Sequence, residues 1–176
     1  MSAADKPMPR DKMVIFKGAG APSLQEAAMS TGRSHVDDEP IDDFFSEAIM
    51  TSFSSSVPYR QEGRDGMSLV SLDFPPGAML PRHSHSADCL YYIVSGGIVM
   101  GTRELGPGDG FFVPADQPYG YRAGAEGVVL LEFRQSTAFD TKFHEKDMAR
   151  YRAKAEAALA AACAERVSDT RTWRRM

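Results

Sequence analysis

Between about residues 57 and 136, apolar positions come in short runs rich in β-branched and aromatic residues, separated by Gly/Pro turns. The runs and turns read MSLVSLDF, PPG, LYYIVSGGIVM, LGPGDGFFVP, YGYRAG and GVVLLEFR. Strands this closely spaced, with turn signals between them, predict an antiparallel sandwich or small barrel. After Ser136 the pattern changes. DMARYRAKAEAALAAACAERV has high helix propensity and alternating charges, and predicts a long C-terminal helix. Ahead of the strands the texture is mixed. Met13-Val14-Ile15-Phe16 suggests a short edge strand. Ser23 with Glu26 three positions on makes a capping box for a short helix through LQEAAMS. Pro40 opens a second helical candidate, IDDFFSEAIM, with Asp42 and Asp43 near its positive end. The expected organisation is an N-terminal extension with short helices (1–56), a β-barrel (57–136), and a C-terminal helix and tail (137–176).

Composition narrows the function classes. At 176 residues the chain fits one domain with extensions, and 43% hydrophobic with 25% charged residues suits a packed core rather than general disorder. A net charge of −4 without a basic stripe argues against nucleic-acid binding. Arg171, Arg174 and Arg175 around Trp173 read as a solvated tail. No run approaches about 18 apolar residues, so no membrane-spanning segment is expected. Cys89 and Cys163 lie in unrelated textures, which argues against a disulfide and suits a reducing compartment. MSAADKPMPRDK lacks the apolar run of a signal peptide, and the expected location is cytoplasmic.

Residues 82–92, RHSHSADCLYY, hold the first candidate chemistry. On a strand, His83 and His85 share a face about 6–7 Å apart, so both imidazoles can approach one metal inside a barrel. Tyr119 and Tyr121 share a face later on, and a small barrel leaves room for a single ligand site. By parity Arg82 and Arg122 point outward. Glu132 and Arg134 share a face on the last barrel strand, either as a surface pair or as an inward carboxylate-binding arginine with a possible base. Tyr91, Tyr92, Phe111, Phe112 and Tyr121 suggest apolar walls and core.

The stretch from Gly77 to Gly96, GAMLPRHSHSADCLYYIVSG, resembles the first motif of the cupin family. Gly77, His83, His85 and Gly96 stand in register, and Cys89 occupies the glutamate position. GDGFFVPADQPYGYRAG resembles the second motif through Gly108, Asp109 and Pro114. Asp116, Tyr119 and Ala123 replace its glycine, histidine and asparagine. The resemblance implies a mainly β, double-stranded β-helix (jelly-roll) barrel. It also implies one divalent transition metal, Zn or Fe first and Mn, Ni or Cu as alternatives, held by His83, His85 and the substituted positions Cys89 and Tyr119.

Cys89 reads either as a thiolate ligand or as a small buried hydrophobe. Tyr119 reads as a ligand, a substrate hydrogen-bonding group or cavity lining, and both residues are candidate catalytic groups. Asp88 is an alternative carboxylate, while His35 and His144 read as surface residues. In the cysteine dioxygenase family a cysteine also replaces this glutamate and in some members cross-links to a tyrosine, which puts Cys89 beside Tyr119 or Tyr121 in the same light. The implied function is a small cupin acting on a small molecule by lyase, isomerase or dioxygenase chemistry; the alternative is a degenerate cupin that carries or senses a ligand. The helical extensions are expected to cover strand edges or to build a homodimer.

Overall fold

Nine strands and one helix make up the described part of the chain, β1 (Ser30–His35), β2 (Ser54–Arg60), β3 (Ser68–Phe74), β4 (His83–His85), β5 (Cys89–Met100), β6 (Arg103–Leu105), β7 (Gly110–Val113), β8 (Arg122–Arg134), β9 (Phe139–Phe143) and α1 (Met148–Thr172). The structure is a computed structural model and describes residues 7–36, 49 and 52–172, with side chains described up to residue 164. The helix expected around Asp42 and Asp43, and Trp173, Arg174 and Arg175 of the tail, lie outside the described residues.

The larger sheet runs β2-β3-β8-β5-β6, with β7 also paired to β5; the smaller runs β1-β9-β4. Alternation decides which face each strand buries. In β3, Ser68, Val70, Leu72 and Phe74 point in, and in β5, Cys89, Tyr91 and Ile93 do the same. With Val128 and Leu130 of β8 they form the barrel core. The turn glycines are needed where strands cross. Gly96 has φ 69°, and a Cβ there would run into the carbonyl of Gly127, itself at φ 75°. The mainly β, cupin-type barrel and the long C-terminal helix are both present.

Asp147 caps α1 by accepting the Arg150 N–H at 2.9 Å. Tyr151 and Ala155 are buried, and the Tyr151 hydroxyl donates to the Met79 carbonyl at 2.6 Å, so the helix is fastened to the approach of β4.

Three local expectations change. Met13-Val14-Ile15-Phe16 forms no strand, and Met13 and Ile15 are almost fully exposed, because no partner strand covers them. The Ser23–Glu26 capping box does form, with reciprocal bonds of 2.8 and 3.2 Å, but it closes a turn rather than a helix. His35, expected at the surface, is buried in β1, and its Nε2 donates to the Glu145 carbonyl at 2.6 Å.

The smaller sheet draws on stretches flanking residues 57–136. β1 pairs in parallel with β9, and β9 pairs antiparallel with β4, matching His83 to Phe143 and His85 to Thr141. The histidine strand therefore hangs on a strand that the sequence pattern did not announce.

Candidate functional site

β4 is three residues long, and all three are buried. His83 and His85 face one way with ring centroids 4.9 Å apart; Ser84 faces the other way, with its hydroxyl 2.9 Å from Nε2 of His144. One edge of β4 is held by β9. On its other side His83 exchanges both backbone hydrogen bonds with Tyr119, each 2.9 Å, which ties the first motif to the second.

Each imidazole is oriented by a backbone carbonyl. Nδ1 of His83 lies 2.8 Å from the Pro81 oxygen, and Nδ1 of His85 lies 2.9 Å from the Asp140 oxygen. A carbonyl only accepts, so Nδ1 carries the proton in both rings and both Nε2 atoms present lone pairs. Burial, and then the positive charge of Arg134, hold His85 down to about 2; burial is also the main cause that lowers His83 to about 4. Both are neutral at ordinary pH.

The two rings open onto a cavity of about 610 Å³. Its walls are largely apolar, with Leu72, Phe74, Leu80, Phe139 and Phe143 among them, and its polar wall includes His83, His85, Glu132 and Arg134. Glu132 and Arg134 are thus inward, not a surface pair. Arg134 Nη1 lies 2.9 Å from Glu132 Oε2, and the guanidinium sits 3.8 Å over the Phe139 ring. The signal in the sequence was their parity: Val128, Leu130, Glu132 and Arg134 form one row on β8, and all are buried. It was ambiguous because Val129, Leu131 and Phe133 make the opposite face apolar as well.

The other expected site residues lie behind this wall. Tyr119 is buried, its hydroxyl 3.0 Å from Nε2 of His83 and in short contact with the Tyr91 hydroxyl. Burial and the charge of Glu132 push both phenols well above their ordinary pKa. Cys89 is also buried. Burial, reinforced by the charge of Glu132, pushes its thiol up to about 12, with the positive charge of Arg134 acting the other way. Neither Cys89 nor Tyr119 lines the cavity. Cys89 is a free cysteine. Asp88 is exposed and accepts the Ala115 N–H at 2.8 Å, which fixes the turn before Tyr119. Arg82 and Arg122 are exposed, as parity predicted.

The donor set can be matched to a metal directly. Two Nε2 lone pairs with pinned Nδ1 protons are what a metal-binding histidine pair requires. Among the described residues, however, no group of three His, Cys, Asp or Glu side chains converges tightly enough to hold an ion. The residues fit a metal held by two protein nitrogens, with its remaining positions open to water or to a bound molecule.

Comparison with known proteins bears on the barrel. Residues 70–133 match the Cupin domain family. No curated protein matches the chain. Among solved structures, the DMSP lyase DddQ from Ruegeria pomeroyi DSS-3 aligns at 25% identity over 51% of this chain and 50% of that one, with a TM-score of 0.45. KdgF from Halomonas sp. aligns at 22% identity over 47% of this chain and 79% of that one, TM-score 0.41. The polyketide cyclase RemF from Streptomyces resistomycificus aligns at 23% identity over 57% and 78%, TM-score 0.46. The match spans half the length of the DMSP lyase.

Proposed function

This chain carries a cupin-superfamily domain, and on that premise we propose that its barrel binds one small molecule beside a divalent metal held by His83 and His85. The observation that carries this reading is the pinning of both Nδ1 protons to the Pro81 and Asp140 carbonyls, which turns both Nε2 lone pairs into acceptors, that of His83 being one an ion takes over from the Tyr119 hydroxyl. Burial keeps both rings neutral, the form in which imidazole ligates. Two imidazoles with open positions suit Zn or Fe, with Mn, Ni and Cu as alternatives.

When bound, the metal would supply Lewis-acid polarisation of an oxygen on the bound molecule. The chain's own groups supply the rest. Glu132 is a carboxylate on the cavity wall, and Tyr119 is a neutral hydroxyl one hydrogen bond behind His83. A carboxylate on the wall of an apolar pocket supports a lyase or isomerase type of reaction. Cys89 stays a protonated thiol against Tyr91 and Arg134.

The test is elemental analysis of protein purified without added metal and after reconstitution with Zn, Fe, Mn, Ni or Cu. The expected result is close to one ion per chain, lost in H83A/H85A. Less than about 0.1 ion per chain after every reconstitution would overturn the metal reading.

A second reading, a non-catalytic cupin that carries or senses a small molecule without metal, is favoured by one observation. The Tyr119 hydroxyl already occupies Nε2 of His83, and the described residues offer no third protein donor. Ligand binding that is undiminished by metal removal, in protein that takes up no ion, would establish it.

A further inference from the structure

Arg134 is the least satisfied polar group on the cavity wall. Its side chain is 1% exposed, yet Nε and Nη1 have no hydrogen-bond partner, and neither does Oε2 of Glu132. The 2.9 Å approach of Nη1 to Oε2 is therefore an attraction of charges without a directional bond. A buried donor without an acceptor is unfavourable, and a buried guanidinium more so. A guanidinium holds its N–H groups in a fixed plane, and a carboxylate is the acceptor that matches one edge of it in both charge and geometry. Among the described residues, the charged side chains on this cavity are the buried Glu132 and Arg134 and the exposed Arg33. A single carboxylate is the anion that one unsatisfied buried guanidinium can take.

We propose that the cavity takes a small monocarboxylate, received by the idle N–H groups of Arg134, with its apolar body against Leu72, Phe74, Leu80 and Phe143. Glu132 is the resident counter-charge, which an incoming carboxylate competes with for the guanidinium. The inference rests on the cavity being the binding site, as proposed above, and does not depend on the metal.

The test is calorimetric binding of matched acid and amide pairs to the full chain: butyrate with butyramide, hexanoate with hexanamide, benzoate with benzamide, and phenylacetate with phenylacetamide. Each pair is measured on chelator-treated and on metal-reconstituted protein. At least one acid is expected to bind about tenfold or more tighter than its amide. R134Q, and R134K, which keeps the charge but loses the fork, are expected to bring the two within about twofold. E132Q is expected to tighten the acid by about threefold or more, since the competing carboxylate is gone.

Absence of any preference for the acid, or a preference unchanged in R134K and R134Q, overturns the inference. A preference that vanishes on chelation while surviving the Arg134 variants overturns it too, and leaves the metal reading standing. An Arg134-dependent preference in protein that takes up no metal supports it and removes the metal instead. Circular dichroism checks folding. If the Arg134 variants do not fold, E132Q decides: tighter acid binding supports the assignment, and unchanged or weaker binding overturns it.

Discussion

The hydroxyl of Tyr119 donates its proton to Nε2 of His83 across 3.0 Å, because the proton on Nδ1 is already committed to the Pro81 carbonyl. The oxygen of Tyr119 is then free to accept from Tyr91, so the bonds run in one direction from Tyr91 through Tyr119 and His83 to the backbone. Burial keeps both phenols protonated, so the chain ends in a neutral imidazole.

Tyr119→Phe removes the bond that a metal on His83 must displace. One such bond contributes about 0.5–1.5 kcal/mol. Metal affinity, measured by competition with a chromogenic chelator, should therefore rise by roughly 2–10-fold. A fall of more than about tenfold would instead make the phenol a ligand.

Cys89 should be chemically silent. With its thiol pushed up to about 12, almost no thiolate exists at pH 8, whereas Cys163 is exposed. Iodoacetamide at that pH should label Cys163 and spare Cys89 until the chain is unfolded. Cys89→Ala should leave metal content unchanged and lower stability by about 1 kcal/mol through lost packing. Loss of metal in this variant would restore the thiolate as a ligand.

The metal-free protein should weaken in mild acid. Both histidines have folded-state values below the ordinary 6.5, so the unfolded chain takes up protons first as pH falls. The stability they confer is complete above pH 6.5 and is lost progressively below it, down to about 4 for His83 and about 2 for His85. Each contributes at most about 1.4 kcal/mol per pH unit in that window. Urea midpoints of chelator-treated protein between pH 7.5 and 5 should decline accordingly and should flatten in H83N/H85N. A midpoint that does not move in the wild-type protein would contradict the burial of these rings.

The outer face of β5 carries Leu90, Tyr92 and Val94, with Phe112 of β7 opposite Leu90, and each is about half exposed. A contiguous apolar strip on an outer sheet face suits a second copy of the chain, in keeping with the homodimer expected from the sequence. Sedimentation velocity should give a dimer of the 19.3 kDa chain. Leu90→Glu with Phe112→Glu should give a monomer with an unchanged circular dichroism spectrum. A wild-type protein that is monomeric at about 100 μM would contradict it.

Much of the barrel was legible because Gly/Pro turns punctuate runs whose alternation is one-sided, as in β3, and the long helix was legible from its composition. The histidine pair was legible because period-two spacing puts both rings on one face whatever the partner strand. Glu132 and Arg134 were not, since β8 is apolar on both faces and charge alone suggests the outside. FDTKF of β9 alternates too weakly to stand out, and its role comes from pairing with β4 and β1 rather than from its own residues. The burial of His35 is hidden from the sequence for the same reason, because it depends on that parallel pairing.

The pairing of β4 with β9 also bears on how the protein is made. The backbone group that orients His85 belongs to Asp140, 55 residues further along the chain. On the ribosome the histidine strand emerges with one edge unclaimed, and it stays so while the whole second motif is synthesised. Such non-local closure is slow and leaves a strand edge open to wrong partners until β9 is made. A nascent chain halted before Phe139 would contain both histidines and lack the carbonyl that aims the second.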